Sequence, residues 1–209
     1  MQDLFWRQVQ APFGSLWLGA LGGQLCQLSW TPPQYAPAQS PDSADQMFLH
    51  QAQEPLSKSW RPRDRARTEA EAEAEANHWL LDRAELQLSQ YWSGQRKAFD
   101  LPLRLVGTDF QLRVWEELKA IPLGQLRSYA QVAEGLGKPG GARAVGRACG
   151  KNPLPLFIPC HRVVSSGGLL GGYNGGLAIK EFLLSLESPS STSKGYGKSS
   201  NFSDQSSGP

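Results

Sequence analysis

The sequence predicts an α+β fold: a small N-terminal antiparallel sheet with a helix, followed by a mostly helical C-terminal domain that contains a helix-turn-helix. Three observations lead there. The opening segment LFWRQVQAPFGSLWLGALGGQLCQLSW places β-formers such as Val9, Leu16, Trp17, Leu25 and Leu28 in short runs broken by Pro12-Phe13-Gly14 and Gly22-Gly23. The run after Thr68, EAEAEAEANHWLLDRAELQLSQYW, is helical by propensity. Beyond Gly107, Thr108-x-x-Gln111 and Ser128-x-x-Gln131 both have the spacing of a capping box, which opens a helix.

Taken in order, the opening runs form an antiparallel sheet. A surface loop rich in Pro, Gln, Ser and Ala is expected over 31–59. The Glu-Ala helix is expected to pack through Trp79, Leu80, Leu86 and Tyr91 and to stop at Gly94, its acidic alternation being a solvated face. FDLPLRL then leads out as an extended linker. The helix opened by Thr108 carries Phe110, Val114, Trp115, Leu118 and Ile121 on one face and ends by Pro122. The helix opened by Ser128 carries Tyr129, Val132, Ala133 and Leu136 and ends by Gly137. After Lys138-Pro139-Gly140, a third helix over about 141–149 completes a helix-turn-helix and bears Arg143 and Arg147 four residues apart. The expected domains are 1–102, an N-terminal α/β domain, and 103–187, with a disordered Ser/Gly-rich tail at 188–209.

Bulk properties narrow the function. A chain of 209 residues with 40% hydrophobic content can build one or two small cores. It has no apolar run near the roughly 20 residues of a membrane span and no secretory leader pattern at its start, so an intracellular protein is expected, cytoplasmic in a prokaryote or nuclear in a eukaryote. Cys26, Cys149 and Cys160 are an odd number without a CxxC pair, which suits a reducing compartment in which a thiol stays reactive. Residues 1–102 hold 9 Lys/Arg against 12 Asp/Glu, whereas residues 103–187 hold 10 against 6, so the C-terminal half is the one suited to a polyanion.

The chemistry gathers at Asn152-PLPLFIPCHRVV. Pro153, Pro155 and Pro159 stiffen the approach to Cys160 and place the thiol on a constrained turn. A cysteine attacks as thiolate, which needs a base, a cation or oriented N–H groups nearby, and His161 and Arg162 are the local candidates. Considered alone, a Cys-His dipeptide favours the plainer reading of a buried thiol beside a satisfied polar neighbour.

The segment Ile158-Pro159-Cys160-His161-Arg162-Val163-Val164 resembles the Pro-Cys-His-Arg-Val hallmark of the O6-alkylguanine-DNA alkyltransferases, or methylated-DNA–protein-cysteine methyltransferases. The resemblance runs from Gly107 to Glu187 through GTDFQLRVWEEL, IPLGQLRSYAQVAE, ARAVGRACGKNPLPLFIPCHRVV and GGYNGGLAIKEFLLSLE, and more weakly through QLSQYWSGQRKAFDLPL upstream. It implies a single-turnover transfer of a methyl or other alkyl group from O6-alkylguanine in duplex DNA, with O4-alkylthymine as a second candidate substrate, after the nucleotide is flipped. It further implies Cys160 as acceptor, His161 as base acting through a water, Glu187 as the carboxylate orienting His161, Asn152 as the residue holding the turn, and Tyr129 as a donor to the leaving base. DNA contacts are expected from Ser128, Tyr129, Ala142, Arg143 and Arg147, with Arg143 filling the gap in the stack. Val163, Tyr173, Asn174 and Gly175 are expected to line the guanine pocket, and Pro155 and Gly175 hint that benzyl-sized groups fit.

The roles are physically coherent, since an alkyl carbon on O6 lies within the stack and only an extruded nucleotide can meet a protein sulfur. Proximity and desolvation suffice, so no cofactor is expected. No metal is expected either, because Cys26, His50 and His78 match no zinc spacing. The expected partner is duplex DNA carrying the lesion, with no membrane and a monomeric protein. The glycine-rich SSGGLLGGYNGG over 165–176 lacks the Lys-Ser/Thr ending of a P-loop and reads as backbone able to approach a flat base. Cys149 is expected to pack, with a second labile thiol near the site as the alternative, and Cys26 to be a core strand residue. Three rivals fail on particular residues. A lesion-binding relative without activity would lack Cys160, a transcription regulator would carry polar base readers where ARAVGRACG is mostly small and apolar, and a cysteine hydrolase would draw its Cys and His from distant segments.

Overall fold

A computed structural model describes residues 4–34 and 68–188. The expected loop beyond residue 34 and the expected tail beyond Ser188 lie outside the described residues. The architecture is α+β, as the sequence predicts. Contacts divide the chain into two units, Met1–Leu86 with Leu101–Leu103 and Gln87–Asp100 with Arg104–Pro209, so the division falls inside the long helix rather than after it.

In the first unit, β1 (Phe5–Ala11), β2 (Gly14–Leu21) and β3 (Gln24–Ser29) form an antiparallel sheet in the order β1-β2-β3. The pairs Ala11↔Gly14 and Leu21↔Gln24 leave two-residue turns at Pro12-Phe13 and Gly22-Gly23, and the left-handed φ of +59° and +70° at the two glycines is what a primed hairpin turn demands. Alternation along β2 buries Leu16, Leu18 and Ala20 completely, and Val9, Leu25 and Leu28 join the same core. Cys26 is half-buried rather than core, its Sγ donating to the Gly19 carbonyl at 3.3 Å.

Helix α1 (Glu69–Trp92) starts at a capping box in which Thr68 Oγ1 accepts from the Glu71 amide and Glu71 accepts from the Thr68 amide. Within the first unit its residues Asn77, Leu80, Leu81 and Ala84 are buried, at the spacing of one helix face. This corrects the expected face, because Trp79 and Leu86 are 56% and 58% exposed. One residue of offset turns Trp79 to solvent, where the Arg83 guanidinium lies 4.8 Å from its ring. The last turns of α1, with Leu88 and Tyr91 buried, belong to the second unit.

The second unit holds α2 (Asp109–Lys119), α3 (Tyr129–Gly135), α4 (Ala142–Gly150) and α5 (Leu177–Glu187). Both capping boxes form, at Thr108/Gln111 and at Ser128/Gln131. Helix α2 buries Val114, Trp115 and Leu118, and Trp115 Nε1 donates to the Ala148 carbonyl of α4 at 3.0 Å. Gly137 and Gly140, at φ +68° and +81°, make the turn between α3 and α4. Short strands β4 (Arg127–Ser128) and β5 (Val163–Val164) pair in parallel, which brings the start of α3 beside the segment that follows Cys160. Among the described residues no helix is long and apolar enough to cross a membrane.

Candidate active site

Cys160 opens a single turn of 3-10 helix, Cys160–Arg162, at the end of the proline-rich approach. Asn152 fixes that approach with its side chain. Its Oδ1 accepts from the Leu154 amide at 3.0 Å, and its Nδ2 donates to the Ile158 carbonyl at 2.9 Å and to Cys160 Sγ at 3.2 Å. Leu156, buried within this loop, is held at φ +80°, a conformation costing a non-glycine residue about 1–2 kcal/mol. The prolines and the Asn152 bonds over-determine the loop and keep it there.

Glu187, at the end of α5, is the hub beneath the thiol. Its Oε1 accepts from Tyr91 Oη at 2.7 Å and from Arg162 at 2.7 Å and lies 3.0 Å from His161 Nε2, while its Oε2 accepts from Arg162 Nε at 2.8 Å. Arg162 completes its bonding to the Ile121 carbonyl at 2.6 Å. Against burial, which pushes it up, the hydrogen bonds from His161 and Arg162 and the Arg162 charge hold the Glu187 carboxyl down at about 2. Burial pushes the His161 imidazole below its ordinary value, with Glu187 opposing, so the ring is neutral at rest. With Nε2–H donating to Glu187, Nδ1 carries the lone pair, and that buried atom has no protein partner among the described residues.

Cys160 is 4% exposed, and burial pushes its thiol up to about 11 against the pull of the Asn152 hydrogen bond and of Lys180. The resting sulfur is therefore a protonated thiol, and attack by it would require that proton to leave. Arg162, a candidate activator by sequence, is committed to Glu187 and Ile121 instead.

Cys160 lines a cavity of about 730 Å³, which is large enough for a purine. Tyr129, Cys149, Tyr173 and Asn174 line it, together with Ala142, Arg143 and Arg147 of α4. Tyr129 is held as a neutral phenol at about 12 by burial and by the two thiols. The Cβ of any side chain at Gly171 would stand 3.0 Å from Tyr129 Oη, so the glycine admits close approach of the loop to the phenol.

Of the residues singled out by sequence, Cys160, Tyr129, Ala142, Arg143, Arg147, Tyr173 and Asn174 meet at this cavity. His161, Glu187 and Asn152 lie behind the thiol as its support. Ser128 serves as the N-cap of α3, and Val163 is fully buried in β5 away from the cavity lining, which also does not include Gly175. Cys149, expected to pack or to be a second reactive thiol near the site, is buried and shares the cavity with Cys160. Sequence reasoning missed Tyr91, whose bond to Glu187 spans 96 positions, and Lys180, a lysine on a helix that reads as an ordinary solvated residue.

Comparison with known proteins accords with this geometry. Residues 109–189 match the family model described as 6-O-methylguanine DNA methyltransferase, DNA binding domain. The chain is 38% identical over 184 residues to the methylated-DNA–protein-cysteine methyltransferase of Mycobacterium tuberculosis, covering 88% of this chain and 92% of that one. It is 37% identical over 181 residues to the protein of that name from Mycobacterium leprae, covering 87% and 90%. The crystal structure of M. tuberculosis OGT in complex with DNA superposes with a TM-score of 0.64 at 36% identity, covering 88% of this chain and 92% of that one. A Cys-His-Glu array behind a purine-sized cavity, on a helix-turn-helix scaffold, thus coincides with similarity along nearly the whole length, and the chain belongs to the methylated-DNA–protein-cysteine methyltransferase family.

Proposed function

We propose that this protein repairs DNA by direct reversal, taking the alkyl group of O6-alkylguanine irreversibly onto Cys160. The observation that carries the reading is the placement of a single turn bearing Cys160 against a cavity that residues of α4 also line. Exposed Arg143 and Arg147 on α4 face the polyanion, and the small residues around them let the helix lie close to the duplex. Arg143 takes the place of the extruded nucleotide, offsetting a few kcal/mol of lost stacking and pairing.

In the pocket, Cys160 Sγ forms a bond to the alkyl carbon as the carbon–O6 bond breaks, and the electron pair passes to the guanine ring. The thiol proton leaves toward His161 Nδ1 through a bridging water, and Glu187 steadies the imidazolium that results. Tyr129, held as a neutral phenol, donates to the departing base and eases its charge. Asn152 keeps the sulfur on the line of attack. The thioether product has no leaving group, so each polypeptide acts once. Duplex DNA with O6-alkylguanine is the partner, and one copy of the chain holds every group used.

Intact-protein mass spectrometry after incubation with an O6-methylguanine duplex tests this. A gain of one CH2 mapped to Cys160, with Cys160→Ala still binding DNA but gaining nothing, is the expected result. No gain, or a gain at Cys149, overturns it.

A further inference from the structure

Lys180 is unlike every other lysine described in this chain. It lies in the first turn of α5 and is 0% exposed, in a position where an unpaired ammonium would be costly. Its Nζ donates to the Val163 carbonyl at 2.6 Å and to the Leu170 carbonyl. Val163 follows the Cys160–Arg162 turn directly, and Leu170 sits in the 165–176 loop that supplies Ser165, Gly171, Tyr173 and Asn174 to the cavity. One side chain therefore ties the strand behind the nucleophile to the far part of the loop in front of it.

The charge matters as well as the tether. Around the sulfur, Arg162 is spent on Glu187, and His161 is neutral. Cys160 on the 3-10 turn and Cys149 on α4 both interact with the Lys180 ammonium, and Tyr129 and Tyr173 face the thiols as neutral phenols. His161 feels the same positive charge unfavourably. A thiolate forming at Cys160 would thus meet one unpaired positive charge from α5, and that charge would be stabilised in return.

We propose that Lys180 is a positioning residue for the transfer: its buried ammonium clamps the pocket loop through the Val163 and Leu170 carbonyls and supplies the positive charge that stabilises the Cys160 thiolate. This deepens the alkyl-transfer reading and depends on it only for the biological consequence. Burial lowers Lys180 to about 8, so the clamp holds its proton near neutrality and releases it in mildly alkaline solution.

The test uses the full-length protein and three variants, Lys180→Met, Lys180→Gln and Lys180→Arg. Iodoacetamide labelling of Cys160 is followed against pH, transfer from free O6-benzylguanine is timed, and amide exchange is read over residues 165–176. Loss of the charge should slow labelling of Cys160 roughly tenfold near neutrality, where the parent Lys180 holds its proton, and the gap should narrow as pH rises past about 8 because the parent then loses that charge as well. Lys180→Met should show that slowing together with faster exchange in the loop. Lys180→Gln, which keeps a donor for the carbonyls, should show the slowing with less loop exchange, and it serves equally if Lys180→Met does not fold. Lys180→Arg should label at the parent rate near neutrality. An unchanged labelling rate near neutrality in Lys180→Gln, or unchanged loop exchange in a folded Lys180→Met, overturns the proposal. Labelling and exchange need no alkylated substrate, so a failure of the repair reading, seen as no transfer by the parent protein, is separable from a failure of this one.

Discussion

Replacing Glu187 by Gln probes the hub beneath the thiol. In the parent protein both carboxylate oxygens act only as acceptors, from Tyr91, His161 and Arg162. A glutamine keeps one acceptor and turns the other oxygen into an NH2 group, which then confronts a donor of Arg162 or of its neighbours. It also removes the one negative charge opposite a guanidinium that is 7% exposed. Breaking a buried pair in this way costs about 3–5 kcal/mol. The depressed pKa corresponds to a similar figure, since holding Glu187 at about 2 rather than 4.5 amounts to about 3 kcal/mol. The sign follows from the depressed value. The contribution is complete above the ordinary carboxylate pKa of 4.5 and is lost as pH falls through it toward about 2.

Equilibrium urea unfolding of parent and Glu187→Gln proteins, followed by far-ultraviolet circular dichroism at neutral pH, should separate the midpoints by about 1–3 M. Repeating the measurement toward pH 2 should close the gap, because the parent loses a contribution that the variant never had. The Gln variant should also transfer alkyl groups more slowly, since His161 loses the partner that fixes its tautomer. Coincident midpoints at neutral pH, or a gap that persists undiminished in acid, would refute the idea that Glu187 is an ionised hub.

Two further outcomes follow from the cavity and its lining. Arg143→Ala should slow transfer from duplex DNA tenfold or more while leaving reaction with free O6-benzylguanine near the parent rate, because only the duplex reaction involves an extruded nucleotide; equal loss on both substrates would remove the stacking role. Gly171→Ala places a Cβ 3.0 Å from Tyr129 Oη at a backbone φ of +63°, so it should slow transfer from both substrates and lower stability by about 1 kcal/mol or more, and a parent-like single-turnover rate would show that the loop need not approach the phenol.

Local chemistry made much of this fold readable. Thr108/Gln111 and Ser128/Gln131 announced two helix starts because a capping box satisfies orphan amides within four residues. The Gly22-Gly23 hairpin was legible because its left-handed backbone needs glycine. The face of α1 was not, since Trp79 and Leu86 are apolar by type, yet one residue of rotation sets them outside. Apolar character bounds a packing stripe only loosely, and the neighbouring elements choose among adjacent stripes. At the site, Cys160 and His161 stood out by motif, whereas Val163 and Gly175, expected in the pocket, do not line the cavity, and Cys149 does.

The chain order alone determined the candidate nucleophile, its stiff proline-rich approach, the paired helices and their basic residues, because each rests on interactions spanning a few positions. Tertiary structure decided what lies across from that nucleophile. Tyr91 and Glu187 meet over 96 positions, and Lys180 reaches the Val163 and Leu170 carbonyls from another helix. It also decided the ionisation of these groups, since a pKa follows from burial and from the charges that folding brings near. No local pattern contains that information, and a lysine reads the same in the string whether it ends in water or beneath a thiol.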